Sequence, residues 1–177
     1  YQDFTINLSL DFQFKNFWYL GGFATTKPLL YYDYYEPRKE GVKFLRFPYG
    51  YMQAYAGTDA RKKFTVDWYV GFGESPVKKD PYFEFSVTPT IRIANRVKLS
   101  HTIVWSHDYK NFGWADFDAA GNPVIGARQQ STVANAFSAQ YSITPLMYLT
   151  FRARHYWSKA QYMSHYTLDA DGRPHPL

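Results

Sequence analysis

The chain has no cysteine among its 177 residues, which excludes a disulfide framework, a thiol nucleophile and any Cys-ligated metal. It also lacks a run of some eighteen apolar residues, and a spanning helix is excluded on that ground. Mean hydropathy is -0.45, a value that leaves a barrel open because polar lumen residues dilute the average. The opening residues, "YQDFT", have neither the basic start nor the apolar segment of a signal peptide, which an exported protein would have lost. Helix-forming stretches are scarce. Charge of one sign does not dominate either: the formal charge is +5, with basic residues scattered and some at single positions inside strands, so no nucleic-acid partner is expected.

Aromatic residues are abundant, at 21% with 17 Tyr, 15 Phe and 5 Trp, an enrichment that β-sheet surfaces and membrane-interface belts both favour. In "FTINLSLDFQF" every even position from Phe4 to Phe14 is apolar, and Thr5, Asn7, Ser9, Asp11 and Gln13 between them are polar. A strand with this pattern has one apolar and one polar face. The alternation recurs at Phe64 to Phe72, Phe83 to Ile93, Val97 to Trp105, Val133 to Tyr141 and Met147 to Ala153. Less regular strands are expected near Phe17 to Thr25 and Tyr51 to Thr58.

Roughly eight strands result. Short links are expected at Lys15-Asn16, Asp59 to Lys63, Ala94 to Arg96 and Thr144-Pro145, and long ones at about 26–50, 74–81, 107–130 and beyond 158. Outer-membrane barrels have short periplasmic turns and longer extracellular loops, whereas Greek-key sandwiches mix their loop lengths. The expectation is therefore all-β: an antiparallel up-and-down transmembrane β-barrel, residues 1–177 forming one domain or a fragment of a larger barrel. Even residues of the first strand would face lipid and odd residues the lumen. Phe17, Trp18 and Tyr19 would form one aromatic girdle, and Trp105, Tyr109, Tyr156 and Trp157 the other.

Four stretches, "YYEPRKEGVKFLRFP" (34–48), "DARKKFTVDWYVGFG" (59–73), "VIGARQQSTVANAFSAQYSITPLMYLTFRARHYWS" (124–158) and "YTLDADG" (166–172), carry a resemblance that covers most of the chain. The run "RARHYWS", Arg152 to Ser158, is its most specific part. The chain resembles the barrel of a Bacteroidota outer-membrane family known as a domain of unknown function, DUF5916. The resemblance implies a carbohydrate-binding-like β-sandwich upstream and further strands beyond the "DG" hairpin, so that eight strands is a lower bound. It implies no activity and no site residues.

By parity the lumen-facing charges are Asp11, Asp67, Glu84, Arg92, Lys98, Arg152 and Arg154, and internal ion pairing is the expected arrangement. The alternative makes Arg152 and Arg154, adjacent on one face, a contact for an anion or a sugar hydroxyl. Aromatic residues in the long loops, Tyr31, Tyr32, Tyr34, Tyr35, Phe112, Trp114 and Phe117, offer sugar-stacking platforms or a protein contact, or pack on one another. The ligand-binding candidates are thus Arg152, Arg154, Tyr34, Tyr35 and Trp114. His101 and His155 lie in strands without a serine or an acid on the same face, and a three-residue turn at 144–145 would set His155 opposite Asn135. No catalytic residue is expected. "DADG" (169–172) and "DFDAAGN" (116–122) lack the closing acidic ligand of a calcium loop and read as hairpin turns, so no metal is expected. "NLS" at Asn7 to Ser9 lies mid-strand, where no glycan fits.

The expected function is a non-enzymatic envelope component in the bacterial outer membrane. It binds or passes an extracellular, glycan-like ligand or scaffolds an outer-membrane complex. Outer-membrane lipid, lipopolysaccharide and other outer-membrane proteins are the expected partners, with no cofactor. A soluble carbohydrate-binding β-sandwich and an outer-membrane lipid-modifying hydrolase are the alternatives.

Overall fold

A computed structural model describes residues 4–94 and 96–177. The described residues form eleven strands and no helix: β1 Ile6–Gln13, β2 Tyr19–Lys27, β3 Tyr31–Asp33, β4 Phe44–Arg46, β5 Tyr49–Gly57, β6 Phe64–Glu74, β7 Tyr82–Ile93, β8 Val97–Phe117, β9 Pro123–Thr144, β10 Met147–Leu168 and β11 Pro174–Pro176. Nine of them make one antiparallel sheet in the order β1-β2-β5-β6-β7-β8-β9-β10-β11, and β3 pairs with β4 as a separate ribbon. The sheet is open, with β1 at one edge and β10, bordered by the short β11, at the other.

Two of the expected long connections are absent. Residues 107–130 and those beyond 158 continue the ladder, so that β8, β9 and β10 run for 21, 22 and 22 residues. The loops that remain at that end are the tight turns around 118–122 and 169–173. There the Asp118 carboxylate accepts the N–H groups of Ala120 and Asn122, and Asp169 accepts that of Arg173. Both "calcium-like" stretches are therefore Asx-type hairpin turns. Bulges between Asp108 and Asn111 and between Tyr162 and Ser164 let the extensions change twist without losing their pairing.

The register fixes which side chains share a face. One row runs straight across eight strands: Asp11, Gly21, Tyr55, Tyr69, Ser86, Val104, Ala134, Tyr156. From this row to the midpoint of the next short turn there are five residues in the β1–β2 hairpin, seven in β5–β6, nine in β7–β8 and eleven in β9–β10. Each hairpin is thus staggered by two residues relative to the last. With strands about 4.8 Å apart and a rise of about 3.3 Å per residue, a stagger of one residue per strand tilts the strands by about 35° from the sheet's axis of curvature.

Burial on the two faces is inverted relative to a water-soluble sheet. On β6 and β7 the apolar Phe64, Phe72 and Phe85 are 59%, 42% and 37% exposed, whereas the polar Thr65, Ser86 and Thr90 are 7%, 3% and 8% exposed. Polar side chains converge and apolar ones splay apart, the geometry of a sheet curved toward its polar face.

The buried apolar cluster lies elsewhere. It consists of Phe44, Leu45, Val124, Ile125 and Ala127, with Pro37 also fully enclosed. Here the β2–β5 connection, including the β3–β4 ribbon, folds over the extensions of β8–β10 as a cap. β7 begins at Tyr82, opposite Asp108, so beyond that point one side of β8 has no strand beside it. Side chains take the missing strand's place: Glu36 Oε1 accepts the Trp114 N–H at 2.7 Å, and Arg46 Nη1 donates to the Phe112 carbonyl at 2.9 Å. Arg46 Nη2 also pairs with Glu36 and Asp33, each at 3.3 Å. Past the backbone bond from the Tyr109 N–H to the Pro81 carbonyl, the exposed sheet edge is closed by one ion-paired group of side chains.

Burial alone would raise the Asp33 carboxyl, but the backbone N–H groups of Glu36 and Tyr35 and the Arg46 guanidinium outweigh it and hold the group below its ordinary range. A depressed carboxylate stabilises the fold above its unfolded value of about 3.9, and that contribution is lost as pH falls through the folded value. Acidification below about 4 should therefore loosen the cap before the sheet, read as faster hydrogen exchange at the Trp114 amide. Arg46→Ala should release the same amide at neutral pH, at a cost of about 1–3 kcal/mol to cap docking.

Candidate functional site

The seven strand charges Asp11, Asp67, Glu84, Arg92, Lys98, Arg152 and Arg154 share the polar face through the cross-strand pairs, as parity predicts. They do not pair with each other as expected. The acids bond to tyrosines: Tyr55 donates to Asp11, Tyr19 to Asp67 at 2.8 Å, and Tyr51 and Tyr82 both donate to Glu84, the latter at 2.8 Å.

Glycine makes these reaches possible. Tyr55 lies over Gly21 on its way to Asp11, Tyr19 over Gly57 on its way to Asp67, and Tyr51 over Gly71 on its way to Glu84. A Cβ at any of the three would overlap the ring. The aromatic side chain covers backbone that has no side chain of its own, and its hydroxyl reaches the carboxylate one strand further on. Three strands are tied by each unit, and a carboxylate on the polar face gains a donor without a cation.

The bases collect at the other part of the face, near the short turns of β7–β8 and β9–β10. Arg92 donates to the carbonyls of Ala60 and Lys62 in the β5–β6 turn. Lys98, Arg152 and Arg154 are exposed, and among the described residues none of the three has a hydrogen-bond or ion-pair partner. With Ser100, Thr102, Ser138, Gln140 and Thr150 they line an open groove of about 700 Å³.

The sequence candidates thus fall at two separate places. Arg152 and Arg154 sit near the β9–β10 turn, while Trp114 pairs with Ile125, which also faces Tyr166 on β10. Fourteen residues of strand separate Arg152 from Tyr166, about 45 Å. Trp114 is not a loop residue as expected but part of β8; Arg38 covers its ring at 4.2 Å and Phe117 meets it at 5.5 Å. Tyr34 and Tyr35, 57% and 92% exposed, follow β3 and remain open to solvent.

Between the cap and the sheet a cavity of about 360 Å³ is lined by Phe44, Phe47, Phe112, Asp80, Asp108 and Lys78. The Lys78 ammonium lies 4.2 Å from the Phe47 ring centre, so that ring is not a free stacking platform. Burial pushes the Asp80 carboxyl upward even though it accepts the Ser75 N–H.

Sequence reasoning missed one contact. His107 Nδ1 lies 2.6 Å from Ser131 Oγ, the two residues directly opposite on the apolar face. The expected β8–β9 loop hid it, since only the strand extension brings the two together. Among the described residues the other ring nitrogen has no partner, so nothing orients the imidazole as a base. His155 does lie opposite Asn135, set there by a two-residue turn, Pro145-Leu146, and a register shift between Met147 and Tyr148 rather than by the expected three-residue turn.

Gly57→Ala should displace Tyr19 and Asp67 and cost about 1–3 kcal/mol, as overpacking does. Gly50→Ala, in the same strand but facing open space, should be neutral or slightly stabilising. Denaturant midpoints of the two variants check this.

Across residues 1–176 the chain matches a family model described as "Domain of unknown function (DUF5916)". No curated protein and no solved structure matches it.

Proposed function

The chain belongs to the DUF5916 family, whose description assigns no activity, and from its surfaces we propose that it is a non-enzymatic envelope component, the wall of an outer-membrane β-barrel. In this role it binds or passes an extracellular ligand, or scaffolds an outer-membrane complex. One observation carries the reading: on the central strands β6 and β7 the apolar residues lie on the exposed side and the polar ones on the enclosed side, and the same alternation of faces recurs along the neighbouring strands. Water disfavours that arrangement and lipid favours it. A soluble carbohydrate-binding sandwich would have to bury the same phenylalanines between two sheets.

The stagger supports closure, since a strand tilt of about 35° lies within the range of transmembrane barrels. In this reading β1 and β10 are not free edges but pairing sites for further strands, because unpaired backbone is not tolerated in hydrocarbon. The apolar row of β7, Phe83 to Ile93, is then the lipid-facing band, and the cap with the β8–β10 extensions stands above it on the extracellular side. Tyr34 and Tyr35 are its open aromatic surface, fit for a glycan or a partner protein.

A second reading, an outer-membrane lipid-modifying hydrolase, has the His107–Ser131 contact in its favour. That pair lies on the lipid side, beside Trp105 and Tyr109. Against it stands the unoriented imidazole.

Membrane extraction tests the main reading: the protein should require detergent, and monodisperse behaviour in plain buffer would sink it. Val87→Arg, near the middle of the β7 apolar row, should cost about 2–4 kcal/mol in folding into bilayers. Conductance steps in planar bilayers distinguish passage from scaffolding. Ester hydrolysis that vanishes in Ser131→Ala would replace the non-enzyme reading with the second one.

A further inference from the structure

We infer that Lys98, Arg152 and Arg154 form a binding groove for a soluble multivalent oxyanion, one bearing phosphate or several carboxylates. The inference deepens the ligand-binding reading above by naming the chemistry of what is bound.

The register builds the groove. Arg152 stands opposite Ser138 and Ser138 opposite Ser100, while Arg154 stands opposite Ala136 and Ala136 opposite Thr102. The middle strand, β9, therefore places only Ala136 and Ser138 between the arginines of β10 and the residues of β8. Small side chains there leave the floor open, with the two arginines rising from the β10 side and the hydroxyls of Ser100 and Thr102 on the β8 side. Lys98, opposite Gln140 and one pair nearer the short turns, adds a cation on the β8 side. Its lining holds hydroxyl and amide groups but no carboxylate.

The charges are separated along the face. Asp11, Asp67 and Glu84, which could have neutralised the cations, are each engaged by tyrosine hydroxyls on the β1–β7 part of the sheet. Three like charges held on β8 and β10, with only β9 between them and without counter-ions, repel one another, and a bound polyanion relieves that repulsion while accepting their N–H donors. Two guanidinium forks with an ammonium match oxygens in a plane better than they match a neutral sugar hydroxyl. The cations lie on the face opposite Phe137 and Phe151, so a lipid phosphate in the bilayer contacted by those rings is out of their reach. The oxyanion is accordingly that of a solute on the polar side.

Titration of the full-length protein in detergent micelles with inorganic pyrophosphate, followed by calorimetry, tests this. Binding should weaken as salt rises and fall by at least about tenfold for each of Arg152→Gln and Arg154→Gln. Asp11→Asn, at the far end of the same face, should leave it unchanged. Vesicles carrying phosphatidylglycerol, offered as competitor, should not displace pyrophosphate. Absence of binding by the unaltered protein, binding by either arginine variant as tight as that of the unaltered protein, or displacement by the vesicles would overturn the inference. The assay is independent of the membrane reading: a protein soluble without detergent would refute that reading, and the same titration in plain buffer would still report on the groove.

Discussion

A slip of one residue between any two strands of the sheet would set a charge such as Asp67 or Arg152 among phenylalanines, and the rest of the structure depends on this not happening. Alternation alone does not prevent it, because a shift of two residues preserves the faces. What distinguishes the true register from a shift of two is the set of tyrosine-over-glycine units. Tyr19 finds Gly57 and then Asp67 in one row, and Tyr55 finds Gly21 and then Asp11 in another. In a shifted pairing the ring would meet a Cβ and the carboxylate would lose its donor. The short turns fix each hairpin locally, and these units fix neighbouring hairpins to one another.

The same units explain how a polar face can be crowded and still satisfied. Side chains converge there, so space is limited, and glycine creates it where a ring must lie flat. Carboxylates in that space need donors, and a tyrosine hydroxyl supplies one without the desolvation cost of a second ion. The cations, by contrast, are collected where β9 is narrow and the surface is open. Division of the face into a tyrosine-lined acidic part and a hydroxyl-lined basic part is the arrangement from which any ligand preference must follow.

Much of this was legible in the sequence. Period-two alternation gave the strands, their faces and the shared parity of all seven charges, because a sheet with one apolar and one polar face carries that difference on every second residue. Other features were not legible. The reach of β8–β10 past the β7 start was hidden because Asn111, Gly113, Asp116 and Gly126 read as loop residues, while bulges keep the ladder intact through them. Pairing of acids with tyrosines was hidden because it needs the register between strands, which turn lengths alone give only within a hairpin. For the candidate site, Arg152 and Arg154 were visible from their own strand. Lys98 as their neighbour and the small residues of β9 between them became visible only once three strands were aligned. Trp114 looked like a loop residue and is part of β8 beneath the cap, since composition cannot tell an aromatic in a loop from one that meets an arginine.

The cap also orders the protein in time. Glu36 and the Trp114 N–H that it accepts are 78 residues apart in the chain, and the strands that receive the cap follow it in sequence. Until β8, β9 and β10 are paired, the connection after β2 has nothing to dock on, and its loop-closure entropy stays unrecovered. The Glu36–Arg46 clasp is therefore a latch on the extension of β8. It can engage only after the sheet has grown past the point where β7 begins, so a closed cap marks a chain whose later hairpins have already found their places.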